Sequence, residues 1–213
     1  MGFRNRLEAG TRLADVLVGE DRGEAVVLAL PRGGVPVAAA VAARLGAPLD
    51  VLVVRKVGAP MQPELGVGAV GEGGAIVLNK SLLRRLGLTG ADLEVTIAHE
   101  RDEVERRVRA FRSPGAAPVP VEGRTVLVVD DGLATGATAE VAAAVVRERG
   151  AARLVLAVPV GPPDTVEHMS RVYDEVVCLD TPPGFRAVGQ FYEDFRQLSD
   201  ADVAAALAAA RDG

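Results

Sequence analysis

The apolar residues of this chain form short, nearly continuous runs, and segments with helical spacing lie between these runs. Because the runs do not alternate with polar residues, they are typical of strands buried on both faces of a parallel sheet. Five strands are predicted, at residues 25–30 (AVVLAL), 49–54 (LDVLVV), 125–130 (TVLVVD), 154–160 (LVLAVPV) and 175–179 (EVVCL). Helices are predicted at residues 37–45, 82–112 in two pieces, 138–150, 164–171 and 200–211. This order predicts an α/β fold with an open, mainly parallel five-stranded sheet and helices on both faces.

Two stretches depart from this alternation. Residues 58–74 (GAPMQPELGVGAVGEGG) hold two prolines and six glycines, which argues against a regular element. We therefore expect a flexible, exposed loop there, of the kind that often carries function. The stretch after residue 180 is also irregular up to the last helix. No internal repeat or linker divides the chain, so a single domain over residues 1–213 is predicted.

Composition narrows the possible functions mainly by exclusion. The chain has 24 basic and 29 acidic residues, a formal net charge of −5, which argues against a nucleic-acid-binding domain. No apolar run approaches the roughly 18–20 residues of a membrane helix, and the first residues do not resemble a secretory signal. One cysteine, Cys178, and two histidines argue against a disulfide framework and a zinc cluster. We expect a cytoplasmic protein that binds neither nucleic acid nor membrane.

The segment VLVVDDGLATGAT at residues 126–138 carries the clearest chemistry. A buried strand ends in two adjacent acids, Asp130 and Asp131, and a loop with Gly136 leads into a helix. Carboxyl ends of parallel strands face the ligand crevice of such a sheet. Backbone N–H groups at the start of the helix would bind an anion, and two threonine hydroxyls add donors. The segment therefore predicts a phosphate site with two carboxylates at its edge.

Two further strand ends bring cations to the same edge of the predicted sheet. Residues 28–30 lead into Pro31-Arg32-Gly33-Gly34, where the glycines permit close approach of the backbone. The strand at residues 49–54 leads into Arg55-Lys56. Together, the three strand ends predict a ligand with a monophosphate at one end and several anionic oxygens at the other, with hydroxyls or a metal between them.

These segments resemble those of a known family. VLVVDDGLATGAT is similar to the thirteen-residue phosphoribosyl-pyrophosphate (PRPP) motif of the type I phosphoribosyltransferases. The run from Leu30 to Gly34 is similar to the family's pyrophosphate loop, and Val54-Arg55-Lys56 to the segment before its flexible catalytic loop. The likeness covers about residues 24–180, which would form the core. It implies a flexible loop at about residues 58–74 and a small hood made of residues 1–20 and 181–213.

The resemblance implies an enzyme that transfers the 5-phosphoribosyl group of PRPP to a nitrogen of a planar, base-like acceptor and releases pyrophosphate. It also implies Mg²⁺, held mainly by substrate oxygens and water and only indirectly by Asp130 and Asp131, and a homodimer. The PRPP-binding residues that it implies are Ala134, Thr135, Gly136, Ala137 and Thr138 at the 5-phosphate, Asp130 and Asp131 at the ribose hydroxyls, and Arg32, Gly33, Gly34, Arg55 and Lys56 at the pyrophosphate.

One position departs from part of the family. The hypoxanthine-guanine branch has an acid at the position of Ala134. The adenine branch has alanine there, like this chain. The nearest substitute for that acid is Glu64, which would join Arg32 and Lys56 as a catalytic residue. In the other interpretation, Glu64 is only a solvated loop acid. A second function is also compatible with the resemblance, a non-catalytic regulatory protein that senses PRPP or a nucleotide.

Aromatic residues are concentrated near the end of the chain. Four of the seven lie between Phe185 and Phe195. Two interpretations stay open for them: they form the core of the hood, or Phe185 and Tyr192 stack on a planar acceptor.

Overall fold

A computed structural model describes residues 2–19, 24–112 and 116–211 of the chain, and these residues form an α/β fold. Its main sheet has five parallel strands in the order β2-β1-β6-β7-β8. The strands are β1 (Val26–Ala29), β2 (Leu49–Val51), β6 (Thr125–Val129), β7 (Arg153–Val160) and β8 (Glu175–Asp180). All five correspond to predicted strands, so the predicted sheet is confirmed.

The helices are α1 (Arg6–Leu17), α2 (Gly34–Leu45), α3 (Lys80–Leu86), α4 (Glu94–Phe111), α5 (Ala137–Glu148), α6 (Pro163–Met169) and α7 (Asp200–Arg211). Short 3-10 turns lie at Glu72–Gly74, Ala91–Leu93 and Val188–Phe191. All helices except α1 agree with a predicted helix to within a few residues. Helix α1 was not predicted, although Asn5 caps it by accepting a hydrogen bond from the Glu8 N–H.

The continuous apolar runs are explained by burial on both faces of the main sheet. Every residue of β1 is buried, and alternate residues face opposite sides. Val27 and Ala29 belong to the core shared with α1 and α2. Val26 and Leu28 belong to the core on the other face, which contains α5 and the end of α6. The prediction of helices on both faces is therefore confirmed.

The glycine-rich segment is not irregular, and that prediction is wrong. It forms most of a second, antiparallel sheet of three strands, β3 (Val54–Ala59), β4 (Gln62–Gly71) and β5 (Ile76–Leu78). Two of the glycines, Gly58 and Gly68, are needed for close packing between strands. A Cβ at Gly68 would lie 2.6 Å from the Val77 carbonyl oxygen, and a Cβ at Gly58 would overlap the backbone of Pro63. Counting glycines as breakers missed this role.

The two cations Arg55 and Lys56 also differ from their predicted place. The strand at residues 49–54 ends at Val51, and the chain passes directly into β3. Both cations therefore lie within β3, on the second sheet, instead of at the carboxyl end of a strand of the main sheet.

The second sheet is fixed to the main sheet by a buried group of charged side chains. Arg112, at the end of α4, donates to both carboxylate oxygens of Asp50 at 2.9 and 2.8 Å. It also donates to both oxygens of Glu72, which follows β4, and Glu72 accepts a further bond from Arg149 at 3.1 Å. Asp50 lies on β2, so this group joins the two sheets.

The two ends of the described chain, which the resemblance implies as a hood, contact each other beside the main sheet. Phe3 and Tyr192 form a β-bridge, and Phe3 also exchanges backbone hydrogen bonds with Phe191 and Glu193 at 2.8 and 2.9 Å. The rings of Phe3 and Tyr192 pack with Ala9 and Val160 into a third apolar cluster. Within the described residues, no helix is both long enough and apolar enough to cross a membrane.

Candidate functional site

The site is centred on the carboxyl ends of β1 and β6, which are neighbours in the main sheet. The loop after β1 packs directly on the two acids after β6. A Cβ at Gly34 would lie 2.6 Å from the Val129 carbonyl oxygen, and one at Gly33 would overlap the Asp131 carboxylate. The peptide bond between Pro31 and Arg32, in the same loop, is cis. The structure thus brings two of the three predicted segments into contact, and only glycine fits where they meet.

The two acids have different environments. Asp131 is buried, and the Arg6 guanidinium donates to its Oδ2 at 2.8 Å. Asp130 is half-buried and accepts a hydrogen bond from the Asp131 N–H at 2.8 Å. Burial raises the pKa of Asp130 well above its usual range, and the neighbouring charge of Asp131 raises it further. Burial also raises the pKa of Asp131, whereas the hydrogen bond and charge of Arg6 oppose that shift. The pair would therefore be stabilised by a ligand that brings hydroxyl donors or positive charge.

The loop between Asp131 and α5 presents its backbone to solvent. Ala134, Thr135, Ala137 and Thr138 are exposed, and Gly136 is buried with φ +76°. A Cβ at Gly136 would lie 2.8 Å from Thr165 Cγ2, so both its φ angle and its surroundings require glycine. Across the described residues, no acceptor is found for the N–H groups of Thr135, Gly136 or Thr138. Helix α5 begins at this exposed loop, and the positive end of its dipole favours the binding of a phosphate there.

Arg55 and Lys56 of β3 line a cavity of about 540 Å³ together with the start of α5. Thr138 and the turn between β3 and β4 also line it. Arg55 donates to Glu100 of α4 at 2.7 Å, and the Glu100 side chain is 14% exposed. Glu100 was not among the predicted site residues; it lies on α4, where many charged residues surround it in the sequence. The cavity thus joins two predicted cations to one end of the phosphate loop.

Arg32 does not approach the phosphate loop in this structure. Its side chain is exposed and extends to the C-terminal part of the hood. There it donates to the Leu198 carbonyl oxygen at 2.7 Å and lies 3.8 Å from the Asp200 carboxylate. Arg32 is thus paired with the hood and does not lie with Arg55 and Lys56, the other cations predicted to bind the pyrophosphate.

The two aromatic residues predicted at the acceptor side differ in exposure. The Tyr192 ring is buried between Phe3 and Phe195, with ring centroids at 5.4 and 5.1 Å, and its hydroxyl donates to the Asp131 carbonyl oxygen. These contacts place Tyr192 in the core of the hood, which corrects its predicted place in an acceptor slot. Phe185 is half-buried and stacks on Phe191 at 5.4 Å with an interplanar angle of 19°. This second pair leaves aromatic surface accessible.

Two residues that hold Asp131 were not assigned this place by the sequence analysis. Arg6 lies on the unpredicted helix α1, and Tyr192 was considered for its ring and not for its hydroxyl. Neither position carries a sequence signal for a contact with a residue so distant in the chain. Glu64, the predicted acid, lies on β4, and its side chain is outside the described part of the structure. In that described part, no group of three or more histidine, cysteine, aspartate or glutamate residues could hold a metal ion.

Comparisons with known proteins identify the family of the chain. Residues 4–196 match the family model of the phosphoribosyl transferase domain. Two Mycobacterium tuberculosis proteins, Rv0571c of strain H37Rv and MT0597 of strain CDC 1551, are provisionally named phosphoribosyl transferases and are 50% identical over 205 residues. The crystal structure of TT1426 from Thermus thermophilus superposes with a TM-score of 0.91 and 47% identity, covering 97% of this chain and 98% of that one.

The chain therefore belongs to the phosphoribosyl transferase domain family, and the predicted resemblance to that family is confirmed. The match covers 96% of this chain but 46% of each mycobacterial protein. The chain thus spans about half the length of the curated relatives that it matches.

Proposed function

We propose that this chain binds PRPP and transfers its 5-phosphoribosyl group to a nitrogen of a small planar acceptor, with release of pyrophosphate. One observation carries the proposal. Two carboxylates at the end of a buried strand are followed, after a five-residue loop, by a helix N-terminus with accessible N–H groups, and a glycine loop packs against the carboxylates. PRPP carries a matching order of groups, a phosphate, two ribose hydroxyls and a diphosphate.

The 5-phosphate would bind the loop of Ala134, Thr135, Gly136, Ala137 and Thr138. The unpaired N–H groups would donate to its oxygens, with the threonine hydroxyls as further donors. Each hydrogen bond to an ionised phosphate contributes about 1.5–3 kcal/mol. Several such bonds would let this exposed loop bind the 5-phosphate strongly.

The ribose hydroxyls would bind Asp130 and Asp131. A carboxylate that accepts from a hydroxyl is favoured in its ionised form, which offsets the unfavourable burial of the two acids. In the adjacent loop the Gly33 N–H would be a donor for the diphosphate. The Gly34 N–H donates to the Leu30 carbonyl oxygen at 3.0 Å, so Gly34 would serve only to keep the backbone close to the acids.

Arg55, Lys56 and Arg32 would neutralise the leaving diphosphate. Arg55 and Lys56 already line the cavity beside α5. Arg32 would exchange its exposed hydrogen bond with the Leu198 carbonyl for a diphosphate oxygen. Because one exposed hydrogen bond contributes only about 0.5–1.5 kcal/mol, a doubly charged diphosphate group can compete for the side chain.

Magnesium fits the residues present, because Asp130 and Asp131 offer carboxylate oxygens that could hold the ion indirectly, through substrate oxygens and water. Mg²⁺ usually binds one or two carboxylates, several waters and substrate phosphates. When bound, the ion would neutralise charge that develops on the diphosphate.

The chemistry needs alignment more than a protein nucleophile. The bond between the anomeric carbon and the diphosphate oxygen breaks, and a bond to the acceptor nitrogen forms, through an oxocarbenium-like state as in glycoside cleavage. The site residues would hold the reacting atoms in line and keep water out. Glu64 on β4 is the proposed acid or base near the acceptor, and the pair of Phe185 and Phe191 is the proposed wall on which the acceptor stacks.

The test is release of pyrophosphate from PRPP and Mg²⁺ in the presence of a panel of purine, pyrimidine and other planar nitrogen acceptors. We expect turnover with at least one acceptor and none for a variant in which Asp130 and Asp131 are both changed to Asn. Asp164→Asn, an exposed change outside the site, is the matched control. PRPP binding without turnover on any acceptor would favour the regulatory sensor, and absence of PRPP binding would contradict the proposal.

A further inference from the structure

Arg6, at the start of α1, reaches the site through a hydrogen bond to Asp131. Its side chain is only 10% exposed, which is unusual because arginine is rarely so buried unless it is paired. Nε donates to Asp131 Oδ2 at 2.8 Å, and Nη1 donates to the Arg196 carbonyl oxygen at 3.0 Å. The guanidinium also lies 4.0 Å from the centroid of the Phe195 ring. Arg6 therefore joins helix α1, the C-terminal hood and one of the two site acids.

The surroundings of Asp131 show what this contact does. Gly33 packs against the carboxylate so closely that a Cβ there would overlap it. The Asp131 main chain is held separately, because the Tyr192 hydroxyl donates to its carbonyl oxygen at 2.7 Å. Oδ2 is bound to Arg6, and no hydrogen bond to Oδ1 is found in the described residues. The carboxylate is thus fixed with one oxygen bound and the other available.

We propose that Arg6 is a positioning residue that orients Asp131 for a ribose hydroxyl and couples the hood to PRPP binding. The inference rests on the proposed function, because it names how one of the PRPP-binding acids is held. Arg6 would not touch the substrate. It would fix the rotamer of Asp131 and leave Oδ1 directed to the ligand, with the hood closed on the site at the same time.

The chemistry of the two side chains explains why arginine is suited to this place. A buried carboxylate without a partner is strongly disfavoured, and a guanidinium offers several donors in a fixed plane. One donor holds Asp131 while another holds Arg196 of the hood. Lysine would keep the charge but could not hold both acceptors in the same plane, so it should restore only part of the effect.

The experiment is calorimetric titration of PRPP with Mg²⁺ into wild type, Arg6→Met, Arg6→Lys and the control Arg4→Met, whose side chain is 75% exposed. We expect PRPP to bind Arg6→Met at least about tenfold more weakly than wild type. Arg6→Lys should fall between them, and Arg4→Met should match wild type. Wild-type affinity in a folded Arg6→Met would overturn the inference and leave the proposed function standing.

A double-variant cycle separates positioning from general destabilisation. In an Asp131→Asn background, Arg6→Met should change PRPP affinity by less than about twofold, because the carboxylate that Arg6 orients is gone. If the loss caused by Arg6→Met is equally large in that background, Arg6 does not act through Asp131. If Arg6→Met alone does not fold, the PRPP affinity of Arg6→Lys is compared with that of wild type. The affinity of the double variant, in which both charges are removed together, is then compared with that of Asp131→Asn. Failure of wild type to bind PRPP at all would instead contradict the proposed function.

Discussion

The hydroxyl of Tyr192 donates a 2.7 Å hydrogen bond to the main-chain carbonyl oxygen of Asp131, 61 residues earlier in the chain. This contact joins the hood to the acidic end of β6 from the backbone side, and Arg6 joins the same residue through its carboxylate. The hood is therefore part of the support of the site. A change in the core of the hood should affect the stability of the fold and the position of Asp131 together.

We expect Tyr192→Phe to lower the free energy of unfolding by about 0.5–1.5 kcal/mol, because one buried hydrogen bond is lost. Tyr192→Ala should cost about 3–5 kcal/mol, since a ring packed between Phe3 and Phe195 is removed. Urea unfolding measures both. If Tyr192→Ala were as stable as wild type and only raised the Michaelis constant for an acceptor, the ring would belong to an acceptor slot after all.

Asp130→Asn should weaken PRPP binding by about tenfold or more, because an ionised acceptor for a ribose hydroxyl is replaced by a neutral amide. Asp130 is better suited to this test than Asp131, whose removal would leave the buried Arg6 charge unpaired. Calorimetric titration checks the affinity, with Asp164→Asn as the control. Unchanged affinity would show that Asp130 is not a ligand of the substrate.

The same variant should have a pH-dependent effect on stability in the absence of ligand. The pKa of Asp130 is raised in the folded state, so this group stabilises the fold below its ordinary pKa, and that contribution is lost as the pH rises through the raised value. Asn does not titrate. We therefore expect Asp130→Asn to gain stability relative to wild type as the pH rises from about 4 toward neutrality. Urea unfolding across that range measures the difference, and a constant difference would contradict the raised pKa.

The main sheet and most helices could be predicted from the sequence because their causes are local. Strands buried on both faces have continuous apolar runs, and the segment from residue 126 to 138 contains the acids, the glycines and the start of α5 together. Helix α1 also has a local signal, because Asn5 and Glu8 stand at its start with the spacing of a capping box.

Other features could not be predicted, because their causes lie far apart in the chain. Gly58 and Gly68 act as strand residues only because Pro63 and Val77 approach them closely. The pairing of Arg6 with Asp131 spans 125 positions. A lone arginine near the start of a chain has no pattern that separates a solvated residue from one that holds a site acid.

The buried charges around Arg112 give a test of how the second sheet is attached. Arg112→Met should lower the free energy of unfolding by about 3–5 kcal/mol, because it leaves the carboxylates of Asp50 and Glu72 buried without this partner. Arg109→Met, an exposed change on the same helix, should stay within about 0.5 kcal/mol of wild type. Urea unfolding compares the two. Similar small losses would show that the group does not anchor the sheet.

Lys56 gives a test of the polarity assigned to the site. It lies on β3 and lines the cavity that also reaches Thr138 at the start of α5. The proposed function assigns Lys56 to the leaving diphosphate, whereas Thr138 would bind the 5-phosphate. Lys56→Ala should therefore lower kcat by about 10- to 100-fold, since a cation that stabilises developing charge in the transition state is lost. Affinity for a nucleoside monophosphate product, which lacks the diphosphate, should change by less than about threefold.

Lys80→Ala, at the exposed start of α3, is the matched lysine control and should change neither quantity. Steady-state kinetics with the acceptor found in the pyrophosphate assay and calorimetry with its product provide the two measurements. Equal losses of turnover and product affinity in Lys56→Ala would place this cation at the phosphate that substrate and product share, and would reverse the orientation proposed for PRPP.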